Sequence, residues 1–205
     1  NNFYALSSYN LGSFFSPLVY FINAQSMPDA VYLITLLKFG AIGLSTYISL
    51  HGMFSKIPRS LVLTLSTSFA LMSFAISQIE IKTWLDVFIL APLILYGFKK
   101  LIYNEGEILY FISLTSLFIQ NYYFGFMMSI FLILWYLTQL SWDIKGIGKR
   151  FFHFVIVSIL SVITSLVMLN PTFLDLRTHG ESFSKVDSIL TEKSWYLDEF
   201  AKNFI

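Results

Sequence analysis

The stretch from Ile108 to Trp142, ILYFISLTSLFIQNYYFGFMMSIFLILWYLTQLSW, holds no charged residue, and in its middle stands Gln120-Asn121-Tyr122-Tyr123-Phe124-Gly125. A single helix over this run would reach roughly 50 Å at 1.5 Å per residue, against a hydrocarbon core of about 30 Å. Amides, phenols and a glycine interrupt it where lipid should lie. The run is therefore read as two short membrane helices, 108–120 and 122–140, that meet at a polar break. Such breaks are tolerated at membrane depth only where the loosened backbone is buried in protein or lines a wet cavity. The stretch thus predicts an integral membrane protein and marks a place for a site.

The composition agrees. The chain is 56% hydrophobic and 12% charged, with a mean hydropathy of +0.69, whereas soluble domains carry roughly 25% charged residues. Aromatic residues make up 19%, with 22 Phe and 12 Tyr, which suits packing in lipid and belts at the interfaces. A net charge of +1 without a basic tract gives no footing for nucleic acid. With no cysteine there is neither a disulfide framework nor a thiolate metal site.

Working outward from the central run, segments 30–50, 60–79, 84–98 and 151–169 complete about six crossings in an all-α, polytopic helical bundle. Pro92, inside the third of these, 84–98, predicts a kink there, because proline removes an amide donor and crowds the preceding turn. Loop charges set the orientation. Lys56 and Arg59, Lys99 and Lys100, and Lys145, Lys149 and Arg150 fall on one side only if 108–140 crosses twice, whereas residues 1–29 hold only Asp29. Both ends of the chain are then expected outside the cytoplasm.

The flanks divide into an outer segment, 1–29, before the 30–169 bundle, and a second outer segment, 170–205, after it. Within the first, Leu11, Phe14, Phe15, Leu18, Tyr20 and Phe21 are apolar but too few to cross, and Pro17 interrupts them. They are expected to rest on the outer leaflet or dip into it. In the second, Phe183, Val186, Leu190, Leu197, Phe200 and Phe204 recur as one face of an amphipathic helix. The chain starts at Asn1 without a methionine or signal segment and stops within that face, so we expect it to be part of a longer membrane protein.

Three groups carry candidate chemistry. Lys38 lies about 12 Å below the outer end of the 30–50 crossing, where a lysine costs a few kcal/mol and faces the bundle interior or a watery cavity. It either snorkels, pairs with an acid of another helix, or receives a phosphate. Asp86, in Trp84-Leu85-Asp86 at the outer start of its helix, either complements the helix dipole or shares a polar cavity with Lys38. Gln120, Asn121, Tyr122 and Tyr123 either satisfy the helix ends made by the break or offer groups to sugar hydroxyls and phosphate oxygens. The hydroxyls of residues 64–77 read as helix-packing contacts. No His/Asp/Glu spacing suggests a metal cage, and Gly146 and Gly148 lack the rest of a phosphate loop.

These pieces, in order, resemble the bacterial YfhO family of multi-pass membrane proteins, glycosyltransferases of the GT-C type. The likeness runs through Tyr9-Asn10-Leu11-Gly12, Leu37-Lys38-Phe39-Gly40, Gly43-Leu44-Ser45, Trp84-Leu85-Asp86, Ala91-Pro92-Leu93, Asn121-Tyr122-Tyr123-Phe124-Gly125-Phe126-Met127 and Asn170-Pro171-Thr172-Phe173. It implies transfer of a sugar from a polyprenyl-phosphate carrier to a cell-envelope polymer, with teichoic acid decoration as the type of role, on the outer face of the membrane. The family's acidic motif and first helix precede Asn1, so the resemblance puts the catalytic acid upstream and leaves Asp86 as the candidate within the chain. It also implies Lys38 as a holder of the carrier phosphate and Asn10, Asp86, Gln120, Asn121, Tyr122 and Tyr123 as substrate contacts. No cofactor is indicated, and a requirement for a divalent cation stays open. The alternative is a transporter or flippase for the same lipid, or a scaffold of an envelope complex. A transporter would often repeat its first half in its second, and no such repeat is present.

Overall fold

The computed structural model describes residues 13–79, 82–140 and 147–179. Asn10 and the amphipathic face at 183–204 lie outside the described residues. Among those described, every regular element is helical: α1 (Met27–Met53), α2 (Arg59–Ala70), α3 (Ser73–Ser77), α4 (Lys82–Ile102), α5 (Ile108–Gln120), α6 (Tyr122–Leu140) and α7 (Ile147–His179), preceded by 3-10 turns at Ser16–Phe21 and Ala24–Ser26. Three helical stretches are long and apolar enough to cross a membrane: Met27–Met53, Arg59–Ser77 and Gly148–Val167. Ile108–Gln120 and Tyr122–Thr138 are shorter apolar helices.

Helix α1 is inverted relative to a helix of a soluble protein. Thr35, Lys38, Ser45, Thr46 and Ser49 are buried, while Leu33, Leu36, Leu37, Leu44 and Ile48 are exposed. Burying polar groups and exposing leucine is costly in water and favourable in hydrocarbon, where polar groups must find partners within the bundle. Three of the buried hydroxyls do so by bonding back along their own helix: Thr35 donates to the Val31 carbonyl at 2.8 Å, and Ser45 and Thr46 both donate to the Ile42 carbonyl, at 3.0 and 2.7 Å.

Side-chain contacts give the direction of each helix. Lys38 meets Asp86, and further along Gly52 meets the Tyr96 ring and the Lys99 ammonium donates to the Met53 carbonyl. Helices α1 and α4 are therefore parallel. Gly97 abuts the backbone of Leu109 and Tyr110, and α5 returns antiparallel to α4 after a turn in which Asn104 (φ 57°) and Gly106 (φ 139°) take left-handed conformations. Trp84 packs on Phe124 and Phe98 on Trp135, so α6 runs with α4 and against α5. His153 meets Glu107 and Ser158 meets Tyr110, which makes α7 parallel to α5. The uncharged run thus reverses at Asn121, as its length required.

Two apolar clusters hold the bundle. The larger joins α4 to α7 through Ile94, Phe98, Tyr110, Leu114, Leu117, Leu132 and Phe154, and the smaller gathers Ile42, Ala70, Ala75 and Leu85 where α1, α2, α3 and α4 meet.

The boundaries depart from the sequence reading in four places. The stretch expected as one helix over 60–79 breaks at Leu71–Met72. Ala70 and Ala75 stand about 140° apart on a continuous helix, and the bend lets both enter the smaller cluster. Helix α1 is longer than 30–50 at both ends. Helix α4 extends beyond 84–98 to Lys82 and Ile102 and continues through Pro92. Helix α7 continues through Pro171 to His179, so the segment expected to leave the bundle at 170 begins as helix.

Candidate functional site

One end of the bundle is built from α1, α4 and the α5–α6 break. Lys38 Nζ donates to Asp86 Oδ2 at 2.9 Å, and the two side chains are 1% and 2% exposed. Of the readings open to these residues, the structure selects an ion pair between helices over snorkelling. The pair is roofed by the segment before α1: the Lys38 ammonium lies 5.6 Å from the centre of the Phe15 ring, and the buried Ser13 hydroxyl stands beside the Asp86 carboxylate. An aromatic face attracts a desolvated ammonium by about 2 kcal/mol. The turn containing Phe14, Leu18 and Phe21 thereby has one side on the charges and another side exposed and apolar. Ser13 and Phe15 were not legible as site residues; the signal that could have found them is the short apolar segment interrupted by Pro17.

The break itself divides its residues sharply. Asn121 is extended (φ −155°, ψ 94°), and its amide donates to the Leu117 carbonyl at 2.8 Å. Its side-chain Oδ1 accepts from the Phe124 amide at 3.2 Å, and its carbonyl accepts from Gly125 at 2.9 Å. Asn121 closes α5 and caps α6. A Cβ on Gly125 would come within 2.6 Å of the Phe118 ring, so glycine is what lets the two halves lie this close. Tyr122 and Tyr123 are exposed, at 43% and 58%. Gln120 is the opposite: it is 2% exposed, and neither Nε2 nor Oε1 has a hydrogen-bond partner. Asp86 Oδ1 likewise has no partner within hydrogen-bond distance, although the Ser13 hydroxyl stands beside the carboxylate.

Asn121→Ala is expected to lower stability by about 1 kcal/mol, the usual worth of an N-cap, and Asn121→Asp to retain most of it. Thermal unfolding in detergent checks this. Equal melting temperatures for the Ala variant and the parent would remove the cap from the account.

Among the described residues, no three of His, Asp and Glu converge as a metal cage. At the other end of the bundle, His153 and Glu107 join α7 to the α4–α5 turn beside a pocket of about 350 Å³.

An all-helical bundle with lipid-compatible surfaces and a buried ion pair at one end defines a polytopic membrane protein. The particular family follows from comparison with family models: that of the bacterial membrane protein YfhO matches residues 1–205, and the chain belongs to this family. No curated protein and no solved structure matches it.

Proposed function

We propose that this chain is the part of an integral membrane glycosyltransferase that receives a polyprenyl-phosphate-linked sugar and passes the sugar to a cell-envelope polymer, of the teichoic acid type, on the outer face. The observation that carries the reading is the Lys38–Asp86 pair, buried and roofed, at the end of the bundle where the uncharged run divides. A membrane bundle keeps such charges at a cost of several kcal/mol per ion, and a phosphate arriving from the bilayer is a natural partner for the ammonium.

In the reaction the C1–O bond to the carrier phosphate breaks and a C1–O bond to the polymer hydroxyl forms. The hydroxyl proton passes to a carboxylate, and the negative charge that remains on the departing prenyl phosphate needs a cation. Lys38 supplies that cation by exchanging Asp86 for phosphate, and Asp86 holds Lys38 in place between turnovers. The proton acceptor is assigned to the family's acidic motif. Gln120 and the residues around the break face the sugar. Six crossings with both ends outside complete the topology.

The test is reconstitution of the whole protein in vesicles with a labelled polyprenyl phosphoryl sugar and an acceptor polymer. Label in a glycosidic bond to the polymer is the expected result. Label that crosses the bilayer still attached to its lipid would overturn the enzyme in favour of a transporter.

A further inference from the structure

Two unmet polar groups lie at the same height of the bundle. Asp86 stands about three turns before Gly97 on the same stripe of α4, and Gly97 abuts Tyr110. Counting the same three turns along antiparallel α5 from Tyr110 ends at Gln120–Asn121. The Trp84–Phe124 contact, with ring centres 5.2 Å apart, pins that level independently. Gln120 therefore brings an unpaired amide, and Asp86 an unpaired Oδ1, to one layer of the interior. Each buried polar group left without a partner costs about 1–3 kcal/mol, and native interiors keep few of them without a reason.

The chemistry of the pair restricts what can satisfy it. A carboxylate oxygen only accepts, whereas the amide offers donors at Nε2 and an acceptor at Oε1. A phosphate, which only accepts when ionised, would serve Nε2 but would leave both Oε1 and Oδ1 unmet. An ammonium would serve the two acceptors and leave Nε2 unmet. A pair of neighbouring hydroxyls donates to Oδ1 and to Oε1 and accepts from Nε2, so it satisfies all three.

Resting on the transferase reading above, we propose that Gln120 is the residue that determines sugar specificity: with Asp86 Oδ1 it reads two adjacent free hydroxyls of the carrier-linked sugar. Asn121 is excluded from this task by its capping bonds, and Tyr122 and Tyr123 by their exposure. They form the rim of the site. Shape favours Gln120→Met as the test variant, since it keeps the side-chain length and removes the unmet amide, so the fold is retained.

The experiment measures binding rather than turnover. The whole protein in nanodiscs is titrated with farnesyl phosphate, with farnesyl phosphoryl glucose, and with glucose analogues of the latter each lacking one hydroxyl. The parent is expected to prefer the glycosylated probe to the bare one by roughly tenfold or more, and to lose that preference when either of two neighbouring hydroxyls is deleted. In Gln120→Met the preference falls to about one, while affinity for bare farnesyl phosphate is unchanged. Equal affinities of the parent for both probes, or a preference that survives in Gln120→Met, would overturn the assignment. A parent that prefers the glycosylated probe yet forms no glycosidic product overturns the transferase reading and keeps the hydroxyl site.

Discussion

Lys38→Met is expected to destabilise the bundle by about 3–5 kcal/mol, because it leaves the Asp86 carboxylate buried with no counter-charge. From sequence alone the same substitution is expected to reduce transfer strongly and spare expression; the geometry changes the second half of that expectation. An ammonium held at 2.9 Å from a carboxylate, with both side chains at or below 2% exposure, is part of the structure as well as a candidate for the phosphate. The variant should therefore be recovered in low yield with a depressed melting temperature. Stability and function separate in the double variant Lys38→Met/Asp86→Leu. Replacing a whole buried pair by apolar groups is often neutral or stabilising by about 1–4 kcal/mol, so the double variant should melt near or above the parent. It should still fail to transfer sugar, since both the cation for the departing phosphate and the Asp86 contact to the sugar are gone. Full transfer by the well-folded double variant would remove Lys38 from the mechanism.

The second large effect is at Gly97. A Cβ there would meet the Tyr110 nitrogen at 2.5 Å, the Tyr110 Cα at 2.7 Å and the Leu109 carbonyl carbon at 3.0 Å. These are backbone atoms of α5 and cannot swing aside, so α4 and α5 must part. Parting them loosens the ring cluster in which Phe98 packs on Tyr110, Trp135 and Phe154. Overpacking ordinarily costs about 1–3 kcal/mol, and Gly97→Val should lie at the top of that range or beyond it. Gly40→Ala is the control: an added Cβ there meets nothing within 4 Å, so its melting temperature should stay level or rise. Identical melting of the two variants in detergent would contradict the close packing of α4 on α5.

The residues that stood out in the sequence did so because hydrocarbon punishes them. Lys38 and Asp86 are charges within apolar helices, and the run from Ile108 to Trp142 is too long for one crossing, so pair and reversal were both within reach of a reading by length and charge. The break at Leu71–Met72 has no such mark. It contains neither glycine nor proline and answers to the packing of Ala70 and Ala75 on Ile42 and Leu85, a tertiary cause. The roof over the ion pair was equally hidden, since nothing local to Ser13 or Phe15 points to helices starting at Met27 and Lys82. Among the polar residues at the break, composition gave four equal candidates. Their separate fates, one cap, two exposed phenols and one buried amide, depend on which way each faces at a reversal.

That reversal also bears on how the protein is made. Helix α5 has 13 residues, about 20 Å, and α6 has 19, about 28 Å. The first is too short to be released by itself into a core of about 30 Å, and the connection between them is Asn121 alone. The two must therefore leave the insertion machinery together, as a hairpin. The cost of passing its tip through hydrocarbon is lowered because the amide, carbonyl and side chain of Asn121 are already paired with Leu117, Gly125 and Phe124. Biogenesis then has one step fewer than the number of helices suggests, and a stop codon or tag placed after Gln120 would strand α5 outside the bilayer.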